Sequence, residues 1–393
     1  MKRYIEFLAF ILLLTVSSYY LAQKYLFVNF SARNLVSRIV PPNKDVKQFL
    51  PQTSENSTQF TIPNGMNLGI FADLKGDLPR VLAFDTGGTL LTSIPASGKI
   101  LALPDEDGNG VVDKIVTVLS SLNKPHGIVV DGNYLYVAET NAVSRYSYDS
   151  TTLTAAGREQ LFTLPGGGRH FSRTIKINAN KLYTSVGSSC DVCDEDNTNR
   201  AAILVSNLDG SDLKVLAKGL RNTVFFTFDK QGNIWGNDMG RDFLGDNLPP
   251  DEINFIDVKA SNLPLNYGWP YCYGKGIRDN KYKSGQVSTY CTSTLNSKYD
   301  YPAHVAPLGI TFDREGNLLA AFHGSWNSST PVGYKIVKMS IFAGDVGGMT
   351  DYVKGFVRGK DEILGRPVDL IYDDNDNLFI SDDHTGIIYV LYD

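Results

Sequence analysis

Two sets of residues have the type and spacing to do chemistry. The first is an oxygen-ligand series in PDEDGNGVVDK, where Asp105, Asp107, Asn109 and Asp113 stand at positions 1, 3, 5 and 9 of a calcium loop. Gly110 sits at the sharp bend, and Val116 replaces the bidentate Glu of position 12. Hard carboxylate and amide oxygens at alternate positions can wrap one cation, so a structural calcium ion is expected here. The second set is cationic and scattered: Arg80, His126, His170 with Arg173, Arg221 with Asn222, and Arg366. Brought to one place, these side chains would form a pocket for an anionic, planar or hydroxylated ligand.

A repeating scaffold would gather these scattered residues. The chain carries one phrase six times, a polar or Pro-containing turn, an alternating apolar run, an Asp/Asn/Gly turn and a second apolar run. The phrases begin near Leu78, Lys124, Phe171, Arg221, Ala306 and Gly365. Period-2 runs joined by such turns are antiparallel hairpins, and their recurrence every ~40–50 residues marks propeller blades. A six-bladed, all-β propeller is therefore expected. In that architecture the loop entering the first strand and the loop leaving the second share one face. The cationic set lies in the entering loops. Glu139, Asn237, Asp238, His323, Trp326, Asp382 and His384 lie in the leaving loops, so four of the five histidines point to one channel mouth. The strand in NGMNLGIFAD, around Met66 to Ala72, and the terminal GIIYVLYD should pair to close the ring.

Composition agrees with a large core and many turns: 393 residues, 42% hydrophobic, rich in Gly, Tyr and Phe. The formal net charge of −5 and the lack of a basic stripe argue against nucleic acid. Tyr4 to Ala22, after Lys2 and Arg3, is apolar enough for a transmembrane helix or signal anchor over residues 1–27, with a cleaved signal peptide as the alternative. A polar, Pro-punctuated stalk over 28–64 would then join it to the propeller domain, 65–393. Either arrangement places the body outside the cytoplasm, anchored to the membrane or secreted. The cysteines fit such a compartment: Cys190 and Cys193 share one loop, Cys272 and Cys291 bracket another, and two disulfides are expected in preference to zinc or thioredoxin-like chemistry. A second acidic cluster, Asp242, Asp246, Asp251 and Glu252, needs a cation or arginine to relieve its repulsion.

In order along the chain, GGGRHFSRTI, SVGSSCDVC, GLRN, LPPDEIN, NYGWPYCYG, HGSWN and GRPV resemble the pyrroloquinoline-quinone (PQQ) dependent sugar dehydrogenases, most closely the sorbosone and pyranose dehydrogenase branch. The likeness runs from about Gly65 to the C-terminus. It implies a propeller that holds PQQ over the channel mouth, with His170 as general base and Arg221, Asn222 and Arg366 as cofactor contacts. Arg80, Arg173 and Trp326 join that set because they share the face. Asp251, Glu252 and Tyr267 fall where related enzymes bind calcium. Compared with the glucose dehydrogenases, a lysine near HGSWN has no counterpart, and Val368 stands where a second arginine follows the first.

The chemistry so implied is oxidation of an aldose or related sugar aldehyde. PQQ and calcium are the expected cofactors, and a membrane quinone or a cytochrome the electron acceptor. His170 must be neutral to take a hydroxyl proton, and the neighbouring Arg169 and Arg173 would repel an imidazolium. Two other readings use the same ring. A calcium-dependent lactonase or esterase would ligate its metal through Asn222, Asn237, Asp238 and Asp382. A non-enzymatic propeller would bind a glycan or a protein.

Overall fold

The computed structural model describes residues 60–393, apart from 283–284 and 360–361. The expected anchor and almost all of the expected stalk lie outside these residues. Among the described residues no helix is long and apolar enough to cross a membrane.

Six antiparallel sheets of four strands make up the body, the third extended by a short parallel strand at Leu265–Asn266. Their innermost strands are Leu82–Phe84, Ile128–Asp131, Ile175–Asn178, Thr223–Phe228, Pro307–Phe312 and Pro367–Tyr372, each opening one of the sequence phrases. Adjacent innermost strands pack on one another around the axis. Close approach between blades needs glycine at particular points. A Cβ on Gly127 would stand 2.5 Å from the Arg173 carbonyl oxygen, and one on Gly309 would stand 2.6 Å from that of Val368. This is why the phrases PHG and PLG begin as they do. It also places Val368, fully buried, at the seam between blades five and six and not among the residues lining the cleft at the channel mouth.

Asn67–Asp73 supplies the outermost strand of the last blade and pairs antiparallel with Ile387–Tyr392, so the ends of the propeller close its ring. Thr61, within the expected stalk, also bridges to Lys354, and the Phe60 ring packs edge-on against Phe356 and Tyr389. Apolar residues between the sheets are almost wholly buried, among them Trp235, Tyr136, Phe225, Phe226 and Phe322. Each large side chain of this kind contributes about 1.5–3 kcal/mol by leaving water. Both expected disulfides are present, Cys190–Cys193 and Cys272–Cys291. With both sulfurs of the CxxC pair joined, zinc has no thiolate to bind there.

Candidate functional site at the channel mouth

The entering loops are held by carboxylates from the leaving loops. Asp238 accepts the Arg221 and Asn222 amides at 2.9 and 2.6 Å, Asp382 accepts the Arg366 amide at 3.0 Å, and Glu139 accepts the Asn123 amide at 2.7 Å. Burial pushes the Asp238 carboxyl up to about 6, against the opposing pull of those amides and of Arg221. A bulge in the innermost strand of blades four, five and six shifts the register just there, which turns the entering residues toward the mouth.

A cleft of about 240 Å³ opens among these loops, lined by Arg169, His170, Arg221, Asn222, Asp242, Asp251, His304 and Trp326 with their neighbours. The His170 Nδ1 lies 2.9 Å from the Ser188 carbonyl and 3.0 Å from its hydroxyl, and that hydroxyl donates onward to the Cys190 carbonyl at 2.7 Å. Nδ1 is therefore the protonated nitrogen, and the Nε2 lone pair is left for a ligand. Burial, then the positive charges of Arg221 and Arg169, push the His170 pKa down to about 3, so the ring is neutral at ordinary pH. Gly187 makes the neighbourhood possible. A Cβ there would meet the Asn222 Oδ1 at 2.4 Å and the His170 Cβ at 2.7 Å, so only glycine lets these two side chains flank one space.

Trp326, 63% exposed, stands at the rim with its edge toward Phe243 and the Arg169 guanidinium over its face. The loop carrying Phe243 is tied across the mouth: Asp242 accepts from Arg169 and Asn327, Asp246 from Ser329, and the Gly245 carbonyl meets His304 Nε2. These partners offset the negative charge of Asp242 and Asp246.

Other expected site residues are placed elsewhere. Arg173 is fully buried and donates to the carbonyls of Pro165, His170 and Ser172, so it props the His170 loop from beneath. Arg80 pairs with Asp383 at 2.5 Å, and the same carboxylate meets His323 Nε2 at 2.7 Å. Arg366 donates to the Gly324 carbonyl and the Tyr334 hydroxyl, both at 3.0 Å, and so supports the turn that carries Trp326. None of the three arginines is among the residues lining the cleft.

Asp251, Glu252 and Tyr267 do not form one cage. Side chains of adjacent extended residues point to opposite faces, so Asp251 lines the cleft while Glu252 and Tyr267 line a smaller pocket behind it. Each is already engaged: Asp251 by the Gly240 and Ala306 amides, Glu252 by the Gly274 amide, and the Tyr267 hydroxyl by the Phe255 carbonyl. Burial pushes the two carboxyls up to about 7 and about 8.

The first acidic loop does converge. Oxygens of Asp105, Asp107 and Asp113 lie within 4.8 Å of one another. Asn109 instead turns its side-chain oxygen to the Val111 amide, at 2.8 Å.

Sequence reasoning did not single out Ser188 or Asp191. Both lie within SVGSSCDVC, and only the folded loop shows that one orients His170 and the other pairs with Arg221.

Comparison with known proteins agrees with the fold. A protein of Borreliella burgdorferi described only as uncharacterized is 31% identical over 86% of this chain and 92% of its own length. A pyrroloquinoline quinone-dependent pyranose dehydrogenase of Coprinopsis cinerea is 26% identical over 87% of this chain, which spans 56% of that protein's length. In fold, the holo PQQ domain of the Coprinopsis cinerea pyranose dehydrogenase superposes with a TM-score of 0.75 at 24% identity, covering 88% of this chain and 98% of that one. The iodide structure of a Trichoderma reesei family AA12 enzyme gives 0.77 at 23% identity, covering 89% and 99%. Residues 61–393 match the TrAA12-like family, and the chain belongs to it.

Proposed function

We propose that this protein is a quinoprotein sugar dehydrogenase that oxidises an aldose or related sugar aldehyde of the sorbosone or pyranose type. The observation that carries the reading is the neutral His170, its Nδ1 tied to Ser188 and its Nε2 left to a cleft shared with Arg221 and Asn222. The relatives named for PQQ-dependent pyranose and sugar dehydrogenases point the same way.

The residues fit the cofactor. Arg169 and Arg221 offer positive charge to its carboxylates, Asn222 a carboxamide, and Trp326 an exposed aromatic face at the rim. When bound, the quinone supplies an electrophilic two-electron acceptor. His170 Nε2 takes the proton of the anomeric hydroxyl, which makes departure of the C1 hydride favourable. Ser188 fixes the tautomer, and burial, with the charges of Arg221 and Arg169 behind it, keeps the ring unprotonated. Arg80, Arg173 and Arg366 support the loops that carry these groups.

Asp105, Asp107 and Asp113 would hold a calcium ion in a structural role. Their loop joins blade one to the closing strand of blade six, since the Val112 amide donates to the Phe71 carbonyl at 2.9 Å. Two disulfides suit an oxidising compartment. We therefore place the propeller outside the cytoplasm, with the apolar N-terminal stretch as its anchor and a membrane quinone or cytochrome as electron acceptor. The hydrolytic alternative loses support because Asn237 and both carboxylate oxygens of Asp238 are engaged in structural hydrogen bonds.

Purified protein given PQQ and calcium should reduce a dye when an aldose is added. Dye reduction without PQQ, or none with it across a panel of aldoses, would remove the proposal.

A further inference from the structure

The Asp191 side chain lies between the disulfide-bonded Cys190 and Cys193, on the floor beneath Arg221. Its Oδ1 accepts from the Arg221 Nη2 at 2.7 Å and from the Asp242 amide at 3.0 Å. Its backbone carbonyl accepts from the Arg221 Nε at 2.9 Å. Arg169 and Arg241 approach the same carboxylate at 3.9 and 3.8 Å. One residue thus grips Arg221 from two directions and faces all three arginines of this quarter of the mouth.

The grip is anchored from outside. Disulfide closure leaves Asp191 and Val192 in a ring too short to relax. The insertion stapled by Cys272–Cys291 touches this ring through Lys281 Nζ, which donates to the Val192 carbonyl at 2.7 Å; next to it the Tyr271 hydroxyl donates to Asp194, and Asp279 holds Arg241 at 3.0 Å. Burial works against ionisation of Asp191, but the Asp242 amide and the Arg221 charge outweigh it and hold its pKa below the ordinary value.

We propose that Asp191 is the positioning residue for Arg221, and that the Cys190–Cys193 disulfide, backed by the stapled insertion, exists to hold Asp191 in place. An arginine side chain has four rotatable bonds, and an unheld one loses that freedom only when a ligand binds, which weakens the ligand. Arg221 preset by Asp191 has already lost it. The inference rests on the proposed role of Arg221 in cofactor binding, and its test separates the two.

In the metal-loaded, PQQ-free full chain, Arg221 is labelled with an arginine-selective dicarbonyl and quantified by peptide mass spectrometry. PQQ affinity is read separately from quenching of tryptophan fluorescence. Asp191→Asn should raise Arg221 labelling several-fold and weaken PQQ at least tenfold, and Asp191→Glu should recover part of both. The double variant Cys190→Ser/Cys193→Ser should move both readouts the same way by a smaller factor. Unchanged Arg221 labelling in Asp191→Asn, with a melting curve like wild type, overturns the positioning role. Increased labelling in a protein whose wild type binds no PQQ upholds the positioning role and overturns the quinone reading instead.

Discussion

The two ends of the inner hairpins make an instructive contrast. At one end, four blades repeat the same turn. Asp85, Asp229, Asp313 and Asp373 each donate their amide to the carbonyl four residues on, and each side chain accepts amides from inside its own turn. At the other end three blades use a longer-range bond, in which Glu139, Asp238 and Asp382 close their second strands by accepting amides of the entering loop. Carboxylates there reach 16 or 17 residues along the chain to hold a neighbouring loop, as Asp238 does for Arg221 and Asn222 and Asp382 for Arg366. Local turns repeat because each is satisfied within five residues. At the mouth the entering amides are satisfied from another loop, so what each entering side chain does is left to its own surroundings.

The contrast can be tested from its strongest point downward. Removing Ile387–Asp393 takes away the partner of Asn67–Asp73 and the third strand of blade six, so the cooperative unfolding transition should vanish for the whole body; calorimetry showing a wild-type transition would refute ring closure. His170→Ala should lower turnover by about 10²–10⁴-fold while PQQ affinity, measured by fluorescence, stays within a few-fold of wild type. Asp238→Ala leaves two buried amides without acceptors at roughly 1–3 kcal/mol each. It should therefore lower both stability in urea and PQQ affinity. Asp373→Ala breaks only a local turn, should cost about 1 kcal/mol, and should leave activity unchanged.

The pH dependence follows from the His170 shift. Its folded pKa, about 3, lies below the ordinary 6.5. The unfolded chain therefore binds the proton first, and this residue's contribution to stability is lost as pH falls from about 6.5 toward 3. Over the same interval the native ring stays unprotonated. Thus kcat/KM should hold level down to about pH 5, and an acid limb near 6.5 would show that the base is a more solvated group.

Calcium sharpens the picture least. Chelation should lower the melting temperature by a few degrees, and Asp105→Asn should remove that sensitivity without altering PQQ affinity. The loop lies at the seam of blades one and six, away from the residues lining the cleft.

How much could be read beforehand divides along the same contrast. The six phrases, the closing strand pair and both disulfides were legible because period-2 patterning, turn chemistry and cysteine spacing are local properties. His170, Arg221, Asn222 and Trp326 were expected at one mouth from their motifs and loops, and the structure places all four around one cleft. Arg80, Arg173 and Arg366 share those loops and were grouped with them, yet the structure turns each toward a carboxylate, a set of carbonyls or a neighbouring turn. Loop membership fixes a residue's face of the propeller but not the direction of a side chain with four rotatable bonds. Asp251, Glu252 and Tyr267 were grouped by the family resemblance, and extended geometry at Asp251 and Glu252 sends these two to different pockets.

This amino-acid order by itself determined the architecture, the ring closure and which face would gather the scattered polar loops, since these follow from alternation and turns a few residues long. Only the tertiary structure decided which of the gathered cations reach the cleft. That choice depends on carboxylates and carbonyls distant in the chain, such as Asp191 for Arg221 and Asp383 for Arg80, whose pairing no local pattern encodes.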